Sequence, residues 1–408
     1  MVKNPILGLD IGSSSIKAVV AEPTSSGKMA LRACFTKPSR GLKRGVVVDM
    51  EEASSAVTAV LQEVKQISKP ALKNIYLSIG GTDVKNQISR GIIAVSRASA
   101  EIYKDDVARA VQASEAVNLP PNRKILHTIT REFIVDGVGD IQEPLGMVGA
   151  RLEVVSFIID AFQPAVKNLI KCVELAGGNY SGLIFSPLAS SFTVLTRNQK
   201  ELGVVQVDIG YGTTGISVYE ENKLLHTKIL PVGGVNITTD LAIALKIPVE
   251  VAEKLKISYG YPIAREIPSK ETIDLKKIDP SLKGTPSKRF ISEVIEVRLR
   301  EICELVNNEL RLLGKVGRLP AGVVVSGGGA KMSGIADLFQ SELKLSTQIG
   351  LPVASKFEAV LPEAIEFLES PEYTTVLGLV LWSEMMNPNS HEPSSGNPIT
   401  NFIKSLMP

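Results

Sequence analysis

Two aspartates end apolar runs in the same way. Asp10 closes ILGLD and is followed by IGSSSIK, which carries Gly12, Ser13, Ser14, Ser15 and Lys17. Asp208 closes VVQVD and is followed by IGYGTT, which carries Gly210, Tyr211, Gly212, Thr213 and Thr214. Glycine lets the main chain come close to an anion, so the backbone N–H groups of such turns can surround phosphate oxygens. The hydroxyls add donors, and Lys17 adds a point charge. Two carboxylates facing one cleft suit a hydrated Mg²⁺, an ion that keeps most of its waters. The chemistry indicated is the holding of a polyphosphate and its cation.

Either turn alone would be an ordinary turn. Their relation to one another carries the inference. Superposing Asp10 on Asp208 needs no gap, and Glu22 then falls on Glu220. The offset is 198 residues (208 − 10), about half of the 408-residue chain. That is too long for a solenoid period, and it predicts two related lobes that each open with a strand–turn–strand unit. A third glycine turn, SGGGAKM, adds Gly327, Gly328, Gly329 and Met332. No G-x-x-x-x-G-K-[ST] loop occurs, and no G-x-G-x-x-G opens a helix after the first strand, so P-loop and Rossmann arrangements are poorly supported.

The elements that must position these residues alternate between strands and helices, which predicts α/β layers. Residues 51–67 have helical apolar spacing that Pro70 ends, and 73–81 return as a strand. Residues 83–165 change character, with three strand-like runs and a helical stretch at 105–117, as expected of a small inserted α+β unit. A helix resumes at 164–177. Residues 235–246 and 249–260 read as helices, 265–288 as an exposed polar excursion, and 290–316 as a long amphipathic helix with Ile291, Val294, Ile295, Ile302, Leu305 and Val306 on one broad face. Residues 387–398 are rich in Pro, Ser and Asn and read as a flexible linker. Behind it, Ile399, Phe402, Ile403 and Leu406 follow i, i+3, i+4, i+7 spacing, the pattern of a short amphipathic helix lying on a membrane surface.

Composition narrows the class. Hydrophobic residues make up 44% and charged residues 22%, which fits a globular chain with a sizeable core. The formal charge of +2 offers no basic stripe for nucleic acid. Three scattered cysteines and three histidines argue against a disulfide framework or a zinc site, and a reducing cytoplasm is expected. The N-terminus lacks signal-peptide features, and no apolar run approaches the ~20 residues that span a bilayer.

The order DIGSSSIK, SPLAS, DIGYGTTG, SGGGAKMSG resembles the actin, Hsp70 and sugar-kinase superfamily. That resemblance implies a two-lobed actin-like fold with ribonuclease-H-like lobes clamping ATP and Mg²⁺. It assigns Asp10 and Lys17 to the first phosphate loop and Asp208, Gly210, Gly212 and Thr213 to the second, with the two aspartates holding Mg²⁺ through water. It assigns Gly327, Gly328, Gly329 and Met332 to the adenosine turn, together with Gly234 and the Glu253/Lys256 pair of AEKLK. Ser186 stands where stronger ATPases of the superfamily carry Gln or Glu. Serine is a poor base, so slow hydrolysis is expected, with nucleotide acting mainly as a structural ligand.

Within the superfamily, ILHTITREFIVDG, PLGMVGARLEV, LIFSPLASSFTVL and HTKILPVGG resemble the bacterial cell-division family FtsA over essentially the whole chain. The resemblance implies first-lobe core at 1–82 and 166–200, an inserted SHS2-like subdomain at 83–165, and second-lobe core at 201–235. It places a small second-lobe subdomain at 236–318 and further second-lobe core with a return helix at 319–386. The linker is 387–398 and the membrane-targeting tail 399–408. It further implies a filament of like protomers that tethers FtsZ to the cytoplasmic face of the inner membrane at midcell and recruits other divisome proteins. Arg298, Arg300 and Glu301, with Leu299 between them, are candidate contacts for the FtsZ C-terminal peptide. A pilus-assembly actin-like protein and a small-molecule kinase on the same fold are the alternatives. An Hsp70-like chaperone would need a β-sandwich domain after the ATPase region, and none follows.

Overall fold

The computed structural model describes residues 5–359 and 361–386. The linker and tail expectations at 387–408, including Ile399, Phe402, Ile403 and Leu406, lie outside the described residues. Among the described residues no helix is long and apolar enough to cross a membrane.

The half-chain repeat corresponds to two sheets of one design. In the first lobe, Ile6–Ile11, Ser15–Pro23 and Met29–Pro38 form an antiparallel meander, and Ile75–Ile79 and Tyr180–Phe185 add in parallel on the other side of Ile6–Ile11. In the second, Val204–Ile209, Thr214–Glu220 and Lys223–Leu230 form the meander, and Val323–Ser326 and Thr347–Ile349 are the parallel additions. Central strands of such sheets are covered on both faces, so they read as continuous apolar runs. Leu7, Leu9, Val205 and Val207 are fully buried accordingly.

Helices cover the sheets where the apolar periodicity predicts them. Met50–Ile67 is capped by Asp49, whose carboxylate accepts from the Glu52 N–H at 3.0 Å. It buries Ala53, Val57, Val60, Leu61 and Val64. Lys288–Leu312 buries Ile291, Ile295, Leu299, Ile302, Val306 and Leu310, a three-to-four residue spacing that keeps one stripe against the second-lobe core. The polar excursion at 265–288 is less detached than its composition predicts. Ile273 and Leu275 are buried in that core, and Thr272 bridges to Ser287.

The inserted unit is a four-stranded antiparallel sheet in the order Lys85–Ala94, Arg151–Phe162, Arg123–Val135, Val138–Ile141. The helix Lys104–Ser114 packs on it over a small core that includes Val107, Ala110, Phe133 and Leu152. Its entry and exit are tied together. Buried Arg123 pairs with Asp160 and donates to the Asp83 carbonyl at 2.9 Å, while the Asp83 carboxylate accepts from the Phe162 N–H at 3.1 Å.

His127, on the same inserted sheet, joins the insert to the first lobe. Its Nε2 accepts from the Phe185 N–H at 3.0 Å, and its ring meets Trp382 edge-on at 5.6 Å. Burial lowers its pKa from 6.5 to about 4. The folded state therefore resists the proton that the unfolded chain accepts below pH 6.5. The stability contributed by neutral His127 is complete above that pH and is lost as pH falls from 6.5 towards 4. At 1.36 kcal/mol per pKa unit, about 2 kcal/mol should be gone by pH 5. Urea titrations across this range are expected to show the slope, and His127→Gln, which keeps an acceptor, should flatten it.

The chain ends its described course by returning to the first lobe. Phe357–Ala359 pairs in parallel with Met29–Pro38 and adds a sixth strand at the edge of that sheet. The helix Thr374–Met386 packs between the first strand and the helix Ser186–Val194.

Candidate functional site

The two opening hairpins meet at one cavity of about 630 Å³ between the lobes, within the range that takes a small-molecule ligand. Asp10 and Asp208 both line it. Each aspartate is the penultimate residue of its strand, and the turn after it closes identically: the Gly12 N–H donates to the Ser15 carbonyl at 3.1 Å, the Gly210 N–H to the Thr213 carbonyl at 2.9 Å. One difference breaks the symmetry. Register places Lys17 opposite Asp10, whereas Gly215 stands opposite Asp208.

The carboxylates are held by short hydroxyls from elsewhere. The Ser78 hydroxyl donates to Asp10 Oδ1 at 2.6 Å, and the Thr375 hydroxyl to Asp208 Oδ2 at 3.2 Å. Asp208 has its pKa raised to about 6. Desolvation is the main cause, the negative charge of Asp10 adds to it, and the Ser190 hydroxyl and Lys17 oppose it. A buried carboxylate whose proton affinity is raised in part by a second carboxylate nearby invites a cation between them. Among the described residues no cluster of three or more His, Cys, Asp or Glu exists, so a metal here would rest on these two carboxylates, water and the ligand's own oxygens.

Gly12, Ser13, Ser14, Ser15, Lys17, Gly210, Tyr211, Gly212 and Thr213 all line the cavity. Thr214 is a correction to the sequence reading. It is fully buried, its hydroxyl donates to the Val232 carbonyl at 2.8 Å, and it does not line the cavity. In the half-chain repeat Thr214 is the counterpart of Ile16, which is likewise fully buried, while Thr213 is the counterpart of cavity-lining Ser15. Lys17 Nζ donates to the Glu372 carbonyl at 2.7 Å, and the Glu372 carboxylate is taken by Lys331, also at 2.7 Å. Burial would raise the Glu372 pKa, but Lys331 and Lys17 outweigh it and hold the group below its ordinary value.

The far end of the cavity is built by the helices Gly234–Leu245 and Val249–Tyr259 and by the triple-glycine turn. Lys256 Nζ donates to Glu253 at 2.7 Å, to the Thr238 hydroxyl at 2.9 Å and to the Gly234 carbonyl at 3.1 Å. Gly234, Glu253, Lys256, Gly328, Gly329 and Met332 therefore surround one end. Gly327 has φ +82, and a Cβ on it would sit 2.2 Å from Asp208 Oδ1. Only glycine fits there, so the turn is kept clear of side chains where the triple-glycine turn meets Asp208 and the Gly210–Thr213 turn.

Ser186 lies on the cavity wall, and its hydroxyl donates to the Ile79 carbonyl at 3.0 Å. The other lining carboxylates, Glu253 and Glu372, are each engaged by a lysine. Ser78, Thr375, Lys331 and Glu372 are site residues that sequence reasoning missed. Ser78, Thr375 and Glu372 sit far in sequence from the three glycine turns and no local signal marks them, whereas Lys331 lies inside SGGGAKM and was open to being read there.

Arg298, Arg300 and Glu301 lie on Lys288–Leu312, and their charges are largely satisfied within the fold. Arg298 grips Asp240 with two bonds of 2.7 and 3.0 Å and also pairs with Glu301. Arg300 reaches Glu296 at 2.8 Å and Glu342 at 3.2 Å.

Residues 205–378 match the family model for cell division protein FtsA, and residues 81–159 match that for the SHS2 domain inserted in FtsA. The chain is 34% identical to cell division protein FtsA of Pseudomonas aeruginosa over 92% of its own length and 88% of that protein. It is 33% identical to FtsA of Bacillus subtilis, over 92% and 82%. In fold it is similar to a chain of the PilM–PilN type IV pilus biogenesis complex, with a TM-score of 0.64 at 20% identity, covering 93% and 98%. MreB5 of Spiroplasma citri, solved with ADP bound, gives a TM-score of 0.53 at 14% identity, covering 92% and 95%. The architecture is actin-like.

Proposed function

This chain belongs to the FtsA family of bacterial cell-division proteins, and on that premise we propose that it binds ATP with Mg²⁺ between its lobes and assembles into actin-like filaments on the inner membrane. There it tethers FtsZ through the FtsZ C-terminal peptide and recruits later division proteins. The observation that carries the nucleotide reading is that Asp10 and Asp208, each beside its own glycine turn, line a single cavity.

The residues present fit Mg²⁺-ATP. The turns at Gly12–Ser15 and Gly210–Thr213 offer backbone donors for the phosphates, and among the described residues Lys17 has no carboxylate in direct contact, so its charge remains available. Glu253, Lys256, Gly327–Gly329 and Met332 would enclose the nucleoside. Bound between the lobes, the nucleotide supplies negative charge and a bridge that both lobes contact. Ser186 lacks the reach and basicity to activate water, and the two lining glutamates are paired with lysines. This favours slow hydrolysis and a nucleotide held as a structural ligand.

The membrane part rests on the spacing of Ile399, Phe402, Ile403 and Leu406. With Lys404 the only cation there, a single tail should bind weakly and a filament should bind strongly through avidity. Full-length protein is expected to co-sediment with liposomes far better with Mg²⁺-ATP than without. Deleting 399–408 should abolish most of that binding. Equal sedimentation with and without the tail would remove the anchor, and equal sedimentation with and without ATP would uncouple binding from nucleotide.

A further inference from the structure

A small hairpin of the first lobe intrudes between the two phosphate turns. Its strands are Leu42–Lys43 and Val46–Val47, so Arg44 and Gly45 form a two-residue tip. The Gly45 N–H donates to the Ser13 hydroxyl at 3.1 Å, and Gly45 lines the cavity. On the other side, a methyl placed on Gly212 would lie 3.5 Å from the Arg44 Cα and 3.6 Å from its Cγ. The tip thus touches the first-lobe turn through one residue and the second-lobe turn through the next.

The residue at the tip is an unexpected choice. Arg44 has φ +50 and Gly45 φ +74, the left-handed pair of a type I′ turn, where Asn or Asp would normally precede the glycine. Strained positions of this kind persist where function requires them. Arg44 is also exposed, and among the described residues its side chain has no hydrogen bond or ion pair. Arg298, Arg300 and Lys331, by contrast, are all matched to carboxylates. An arginine whose backbone and Cγ abut the Gly212 turn and whose guanidinium has no counter-ion among the described residues is a planar donor lacking its acceptor.

We propose that Arg44 is a terminal-phosphate contact: with a nucleoside triphosphate on the Ser13 and Gly212 turns, its guanidinium engages the last phosphate and latches the lobes together. A diphosphate would leave the contact unmade, so Arg44 lets the cleft distinguish the two nucleotides. This rests on the nucleotide reading above and extends it to a residue outside the glycine turns.

The test is calorimetric titration of the full chain with Mg²⁺-ATP and, separately, Mg²⁺-ADP. Losing a charge-assisted hydrogen bond, Arg44→Gln should weaken ATP about tenfold or more and leave ADP within about twofold. Arg44→Gly relaxes the left-handed strain, so it should fold at least as well as wild type by thermal melting and still lose the same preference. Lys43→Gln, which removes a neighbouring exposed charge, should keep the wild-type ratio. Equal losses for both nucleotides, or no loss in either Arg44 variant, would overturn the proposal while leaving nucleotide binding intact. Wild type that binds neither nucleotide would overturn the nucleotide reading itself.

Discussion

Asp208→Asn is expected to make the nucleotide-free protein more stable at neutral pH and to weaken its binding of Mg²⁺-ATP at least 100-fold, about 2.7 kcal/mol. The two effects have one origin. Asp208 titrates near pH 6 in the fold rather than near 3.8, so at pH 7 the folded state holds an anion that the cleft disfavours. A raised carboxylate pKa means that the folded state binds the proton more tightly. The stability Asp208 contributes is therefore fullest below pH 3.8 and is lost as pH rises through 6. The full shift corresponds to about 3 kcal/mol. Water in the open cleft and the bonds to Thr375 and Ser190 reduce what asparagine recovers to about 1–2 kcal/mol. The same substitution removes half of the charge available to a cation between Asp10 and Asp208. Denaturant midpoints at pH 5 and pH 7.5, with and without Mg²⁺-ATP, separate the terms. The variant should gain over wild type at the higher pH without ligand and fall behind when Mg²⁺-ATP is added. A variant less stable than wild type without nucleotide, or one that binds Mg²⁺-ATP as tightly, would disprove the account.

This arrangement explains which parts of the site were legible in the sequence. Asp10 and Asp208 stood out because strand, carboxylate and glycine turn must be contiguous to place an anion-binding loop at a strand end, and contiguity is what a sequence displays. The gapless repeat was visible for the same reason: both first strands have six residues, and each sets its aspartate second from the end. Thr214 differs because it is the counterpart of buried Ile16, and two adjacent threonines look alike in sequence although the pleat sends only one of them to the cleft. Ser78 and Thr375 carry no local pattern and reach the carboxylates through tertiary packing from a strand and a helix far along the chain. Lys331, by contrast, sits two residues after the third glycine turn, where its charge was legible. Arg298 and Arg300 are candidate peptide contacts in sequence, but Asp240 lies 58 residues away and its capture of Arg298 could not be read from the helix alone. The strand Phe357–Ala359 has three residues, too few for a period of two to register.

The return helix Thr374–Met386 carries the second large effect, at Gly378. A Cβ on Gly378 would sit 1.9 Å from the Ala189 carbonyl oxygen and 2.4 Å from its carbonyl carbon, while Val376, Leu377, Leu379 and Val380 around it are fully buried. Helix propensity alone favours alanine over glycine by about 1 kcal/mol. Packing decides against it, because the obstacle is backbone on both sides and neither helix can turn a side chain away. Gly378→Ala must push Thr374–Met386 off Ser186–Val194, and about 3–5 kcal/mol of stability should be lost in a core this dense. The displacement also bears on the cleft, since Thr375 at the start of this helix holds Asp208 and Ser186 begins the other helix. Two controls sharpen the test. Gly27→Ala places a Cβ where nothing lies within 4 Å, at φ +76, so it measures left-handed strain alone and should cost about 1 kcal/mol. Ala189→Gly removes a side chain but leaves the offending carbonyl, so it should not rescue Gly378→Ala in the double variant. Urea unfolding of the four variants beside wild type decides the matter: a loss below 1 kcal/mol at Gly378, or recovery in the double variant, would mean the two helices do not meet backbone to backbone.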